Sequence, residues 1–188
     1  MLLVLTIYLY GMDHTISAAI IEDIPQLLRL INSAYRGEEA KKGWTHEADL
    51  IEGSLRTDED SLVQLIQKTN AVILKCSQNK KIIGCVFLEK NDDQLYLGML
   101  SVSPEIQAHG IGKKLLKAAE DYGKANGCHV IEMTVISIRH ELIAWYERHG
   151  YHKTNTTKPF HTDHRFGVPR QQIEFIVMEK KLSDYAHH

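Results

Sequence analysis

Residues 95–122 read LYLGMLSVSPEIQAHGIGKKLLKAAEDY, and the fold follows from how this stretch is divided. Residues 95–102 form an apolar run of strand length, broken by Pro104. Leu115, Leu116, Ala118, Ala119 and Tyr122 then recur at helical spacing. Between the two lies Gln107-Ala108-His109-Gly110-Ile111-Gly112-Lys113, so the order is strand, glycine loop, helix. Such a junction binds anions. The first N–H groups of a helix have no intrahelical partner, the helix dipole places partial positive charge there, and glycine lets a phosphate approach the backbone. Lys113 and Lys114 add full charge beside it. Two phosphate motifs fail on spacing. A P-loop needs glycine five residues before Gly112 and Ser or Thr after the lysine, where the chain has Gln107 and Lys114. The dinucleotide fingerprint needs a third glycine where Leu115 stands.

A second piece lies downstream. A helical pattern over residues 142–149 closes in Tyr146-Glu147-Arg148-His149-Gly150-Tyr151. Taken together, Gln-x-x-Gly-x-Gly after a strand and the later Tyr-Glu-x-x-Gly-aromatic resemble the GNAT superfamily of acetyl-CoA-dependent N-acetyltransferases. The motifs cover residues 95–151, and the order of elements extends the resemblance over most of residues 15–181. Gly-Trp-Thr-x-Glu-Ala at residues 43–48 is similar to a pattern in poorly characterised bacterial members. The resemblance implies an α+β domain, with a central mixed, mostly antiparallel sheet flanked by helices in αβα layers and a bulged strand before the glycine loop.

Composition agrees with one globular domain. The 188 residues suffice for a sizeable core. The domain is expected over residues 15–182, with an N-terminal extension at 1–14 and a tail at 183–188. A net charge of −2 gives no case for a nucleic-acid partner. The apolar N-terminal run MLLVLTIYLYG carries no basic residue and is too short to span a bilayer, so no membrane partner is expected. Cys76, Cys85 and Cys128 are odd in number and lack metal spacing. Buried free thiols in a reducing, cytoplasmic compartment are expected. His161 and His164 have no fixed third ligand, so no metal is expected.

Along the chain, a strand over residues 15–20 precedes a helix with Pro25 in its first turn and Gly37 at its C′ position. Thr45 is read as the cap of a second helix holding Leu50, Ile51 and Leu55, and Thr57 as the start of a third. Strands at 71–76 and 81–89 are joined by a turn at 78–80, and residues 91–93 turn the chain into the strand from Leu95. Beyond Gly127 come a strand at 129–136, a helix capped at Ser137, a strand from Tyr151, a long loop holding Pro159 and Pro169, and a last strand at 172–179.

The chemistry implied by the resemblance has four needs: a held cofactor, a polarised carbonyl, a deprotonated amine and a protonated leaving thiolate. Acetyl-CoA is the implied acyl donor. The backbone N–H groups of Gln107, Ala108, His109, Gly110, Ile111, Gly112 and Lys113 would cradle its pyrophosphate. Leu100, Ser101 and Val102 would pair with its pantetheine amides, and Gly98 offers the freedom for a bulge. Tyr146 matches the family's proton donor to the CoA sulfur. Arg139 stands where the family often has Asn; its guanidinium suits a CoA phosphate, a substrate carboxylate or solvent. Residues 95–102 hold no carboxylate, so a general base must come from elsewhere. Glu132 lies on the next strand with its facing undecided. Trp44 is read as a wall of the acceptor pocket, with Glu38 or Glu47 binding the amine or relaying its proton; each also reads as capping or surface charge. Residues 153–170 carry Lys153, Lys158, Arg165 and Arg170 against Asp163, which suits either an anionic acceptor or a solvated loop. The acceptor is read as a primary amine of a small molecule. The alternatives are a protein amine and an acyl-CoA-binding regulatory module without turnover. The resemblance also admits a homodimer.

Overall fold

The computed structural model describes residues 8–10, 14–43, 46–106, 110–160 and 163–182. Its strands are β1 Tyr8–Tyr10, β2 His14–Ala18, β3 Ile51–Glu52, β4 Ala71–Gln78, β5 Lys81–Asn91, β6 Gln94–Val102, β7 Val130–Ile136, β8 His152–Pro159, β9 Val168–Pro169 and β10 Glu174–Lys181. Its helices are α1 Ile24–Tyr35, α2 Gly37–Ala40, α3 Glu59–Gln67, α4 Ile111–Ala125 and α5 His140–Arg148. Eight strands form one sheet in the order β1-β2-β4-β5-β6-β7-β10-β8, and β3 pairs with β9 in a separate two-stranded ribbon. Every pairing is antiparallel except β6 with β7. Helices α1 and α3 pack on one face of the sheet, α4 and α5 on the other. This is the α+β layering expected from the order of elements.

Strand β5 runs through the middle because its residues allow burial on both faces. Ile82, Ile83, Cys85, Val86, Phe87 and Leu88 are all buried, a near-continuous apolar run rather than an alternation. Strand β8 has the opposite character. Its sequence HKTNTTKP is exposed almost throughout, with two lysines and a closing proline, as befits a sheet edge that must resist further pairing. The β4–β5 hairpin turns on Asn79 and Lys80, both left-handed (φ 50° and 65°), which matches the right-handed twist of the strands it joins.

Helix α4 sits close against the sheet because Gly84 leaves room. A Cβ built there would lie 2.9 Å from Ile111 Cγ2, 3.0 Å from Leu115 Cδ1 and 3.1 Å from the Ser101 carbonyl oxygen. Gly84→Ala is therefore expected to cost about 1–3 kcal/mol by overpacking. Urea denaturation would show a lowered midpoint, and an unchanged midpoint would mean that α4 yields without cost.

Several local expectations are corrected. Residues 48–55 are not a helix: after a turn at 48–50 the chain enters β3, and Ile51, 1% exposed, pairs with Pro169. Leu55 is exposed while Ile51 is buried, so their spacing does not make one apolar face; long-range pairing outweighs local periodicity. Thr45 lies outside the described residues. Gly37 does not close α1 in a left-handed turn but opens α2, after Arg36 in extended conformation (φ −127°, ψ 156°). Asp58 rather than Thr57 caps α3, its carboxylate accepting the Ser61 N–H at 2.8 Å. Helix α5 begins at His140 with Arg139, not Ser137, at its N-cap. Strand β8 runs to Pro159, a residue expected in a loop.

Candidate active site

The site begins where the sheet opens. Strands β6 and β7 pair only from Gln94–Tyr96 to Val130–Glu132; beyond that point no register joins them among the described residues. A bulge in β6 drives the parting. Ser101 faces Cys85 and Gly98 faces Phe87, so Met99 and Leu100 together oppose Val86. Met99 takes φ 50°, a left-handed conformation that costs energy for a non-glycine side chain. The bulge falls one residue beyond the glycine expected to permit it. The Tyr35 hydroxyl, from the last turn of α1, donates to the Leu100 carbonyl at 2.7 Å and holds the displaced backbone.

At the gap lies a cavity of about 330 Å³. Tyr35, Arg36, Glu47 and Arg56 line it on the α1 face, while Leu142 and Tyr146 line it on the α5 face. Phe160 and Phe166 contribute further wall. The β3–β9 ribbon closes over a small apolar cluster of Ile51, Ile136 and Ile173 beside it.

Each expected site residue has a definite place. Leu100 lines the cavity; Ser101 and Val102 are buried and pair with β5 on one side only. Gly110 is the N-cap of α4 at φ 70°, and a Cβ there would have nothing within 4 Å among the described residues. The first bond of α4 runs from the Lys114 N–H to the Gly110 carbonyl at 3.0 Å, so the N–H groups of Ile111, Gly112 and Lys113 precede the helical ladder. Lys113 is exposed beside them, whereas Lys114 turns to His14 Nδ1 at 2.9 Å. Gln107, Ala108 and His109 lie outside the described residues, as does Trp44. Arg139 lines the cavity.

Tyr146 is buried, with Trp145 and Tyr151 edge-on to its ring at centroid distances of 5.1 and 5.8 Å. Burial holds its hydroxyl pKa well above the usual tyrosine value, so it keeps its proton. Glu47 lines the cavity and forms an ion pair with Arg36, whose other guanidinium arm donates to the Phe166 carbonyl at 3.2 Å. Glu38 lies apart: its side chain is 88% exposed, pairs with Lys41 at 2.8 Å and does not line the cavity. Glu132 is engaged by Lys158 at 2.8 Å and Gln94 at 3.3 Å. The basic residues of 153–170 are largely matched: Lys153 by Glu147, Lys158 by Glu132, and Arg165 by Asp163 and Asp58. They do not form a bare positive loop. Burial pushes the Cys76 and Cys85 thiols up to about 11 and about 12, which keeps them protonated and inert.

Sequence reading missed Tyr35, Arg36 and Arg56. A signal existed for the first two, since they end a helix and lead directly into the polar segment 37–48. Arg56 carried none.

Residues 25–151 match the Acetyltransferase (GNAT) family. The chain belongs to that family. GNAT-type acyl transfer from acetyl-CoA is its activity, and acetyl-CoA is its donor. The opened edge of β6 and the N–H groups at the start of α4, which have no acceptor among the described residues, fit the donor's amides and phosphates. No curated protein sequence matches the chain. Solved structures share the fold. The ribosomal-protein-S18-alanine N-acetyltransferase from Escherichia coli is 18% identical (93% of this chain, 99% of that one, TM-score 0.67). The PaiA N-acetyltransferase from Thermoplasma acidophilum, solved with coenzyme A, is 22% identical (90% and 99%, TM-score 0.64). YncA, a putative acetyltransferase from Salmonella typhimurium solved with acetyl-CoA, is 19% identical (93% and 97%, TM-score 0.65). Among the described residues no helix is long and apolar enough to cross a membrane, and no group of three or more His, Cys, Asp or Glu is placed to hold a metal.

Proposed function

We propose that this GNAT-family chain is an N-acetyltransferase that acetylates the primary amine of a small molecule, with Tyr146 as the proton donor to the departing thiolate. The observation that carries the reading is the protonated Tyr146 hydroxyl on a cavity that opens where β6 and β7 part. The amine nitrogen attacks the thioester carbonyl carbon and the C–S bond breaks. The sulfur takes the Tyr146 proton, and the proton lost by the ammonium passes by way of Glu47 and water to solvent. The second proton, which the nitrogen loses as the amide forms, restores Tyr146 in the net balance. The products are an N-acetyl amide, CoA and one proton, so the balance closes. Glu47 is favoured over Glu38 for the amine because its carboxylate lines the cavity. A volume of about 330 Å³ is on the scale of small-molecule sites.

Calorimetric titration with acetyl-CoA, followed by an amine screen read by thiol release and mass spectrometry of the product, tests the proposal. Expected are binding and a saturable N-acetylated product. Binding without turnover of any amine would favour the regulatory-module alternative, and acetylation confined to protein amines would overturn the small-molecule acceptor.

A further inference from the structure

Arg56 is a cation in the cavity wall on the α1 side, with no acid paired to it among the described residues. Its neighbour in the cavity wall, Arg36, is matched by Glu47, and Arg165 is matched by Asp163 and Asp58. The Arg56 guanidinium makes no ion pair or hydrogen bond among the described residues; it lies over the Tyr35 ring, 5.4 Å from its centroid. That ring is fixed, because its hydroxyl is bonded to Leu100. The Arg56 backbone is fixed as well. Asn32 Oδ1 accepts the N–H groups of Arg56 at 2.6 Å and Thr57 at 3.1 Å, and Asn32 Nδ2 donates to the Thr57 carbonyl at 3.1 Å. Asn32 and Tyr35 are three residues apart on α1 and so share a face of it. One helix face thus anchors the main chain of Arg56 and supports its side chain.

A half-buried guanidinium held over an aromatic ring keeps its planar fork of donors in place, and that fork matches an oxyanion in bidentate fashion. The oxyanion is not expected to be a donor phosphate. The N-terminus of α4 lies on the opposite face of the sheet from α1, and Arg56 lines the cavity on the α1 side. We infer that the acceptor amine carries an oxyanion, a carboxylate or a phosphonate, that binds Arg56 while its nitrogen points into the gap between β6 and β7. The inference rests on the N-acetyltransferase reading for the amine, and on Arg56 and its supports for the anion.

The test measures binding and turnover separately. Calorimetry on the CoA-saturated protein compares α- and ω-amino acids with their carboxamides, and aminoalkyl phosphonates with their neutral esters. Acids are expected to bind about 10- to 100-fold more tightly than neutral counterparts, the worth of a charged bidentate contact. The carboxylate and phosphonate arms show which oxyanion is preferred. Arg56→Gln is expected to erase the preference while leaving acetyl-CoA affinity and thermal midpoint near wild type, because the Asn32 bonds go to main chain. Arg56→Lys, which keeps charge but loses the fork, should fall between. Equal binding of acids and neutral counterparts, no binding of any acid, or acid binding unchanged in Arg56→Gln would each overturn the inference. If acids bind through Arg56 but none is acetylated, the anion site stands and the transferase reading falls. If amines are acetylated without regard to an acid group, the reverse holds.

Discussion

Tyr146→Phe is expected to lower kcat by about 100- to 10,000-fold, the usual worth of a positioned proton donor, while acetyl-CoA affinity stays within a few-fold of wild type. Phenylalanine keeps the ring that packs against Trp145 and Tyr151, so the fold is retained and the missing hydroxyl is the variable. The pH profile gives a second, independent readout. Burial raises the Tyr146 pKa above its ordinary value of 10, so the donor form persists at every pH below that. The wild-type rate should therefore climb as the acceptor ammonium loses its proton, with no falling limb before about pH 10. Loss of rate between pH 7 and 9 in a protein still folded would point to a different donor. Retention of kcat in Tyr146→Phe would remove the residue from the chemistry and leave the fold and the donor slot standing.

The parts of the site legible in the sequence are those written in local pattern. A strand, a glycine pair and a helical stripe define α4 and its N-terminus without help from the rest of the chain, and Tyr146 falls on the buried side of a short helix closed by Gly150. The parts that were not legible depend on partners distant in sequence. Residues 48–55 have apolar positions that a helix could use, but β9 captures Ile51 and Glu52. The bulge sits at Met99 rather than Gly98 because backbone preference is outweighed there: the Tyr35 hydroxyl holds the Leu100 carbonyl. Charge counting over 153–170 could not reveal neutralisation, because the matching acids Glu132, Glu147 and Asp58 come from other elements. Arg56 is the reverse case. Nothing in its local sequence marks it, and its proposed role rests on the lack of an acid partner among the described residues.

Arg36→Met is expected to cost about 3–5 kcal/mol, the loss typical of removing one partner from a buried ion pair. The Arg36 side chain is 2% exposed and that of Glu47 13%, so water screens the pair little, and the carboxylate left behind would be desolvated without a counter-charge. The loss should be larger than the intrinsic value of the pair. Arg36 Nε is itself buried with no hydrogen-bond partner among the described residues, so part of what the contact gains is offset. The double variant Arg36→Met with Glu47→Met removes both charges and should recover at least half of the loss in a urea-denaturation cycle, where additive losses would show that the two residues act separately. The functional consequence should be one-sided. Arg36 joins the end of α1 to Glu47 and to the Phe166 carbonyl, on the α1 side of the cavity that we propose takes the acceptor, whereas the donor is proposed to bind along β6 and the N-terminus of α4. At temperatures where the single variant remains folded, acceptor KM should rise while acetyl-CoA affinity holds. Equal weakening of both substrates would mean that the two halves of the cavity are mechanically one, and that the ion pair supports the opening of the sheet itself.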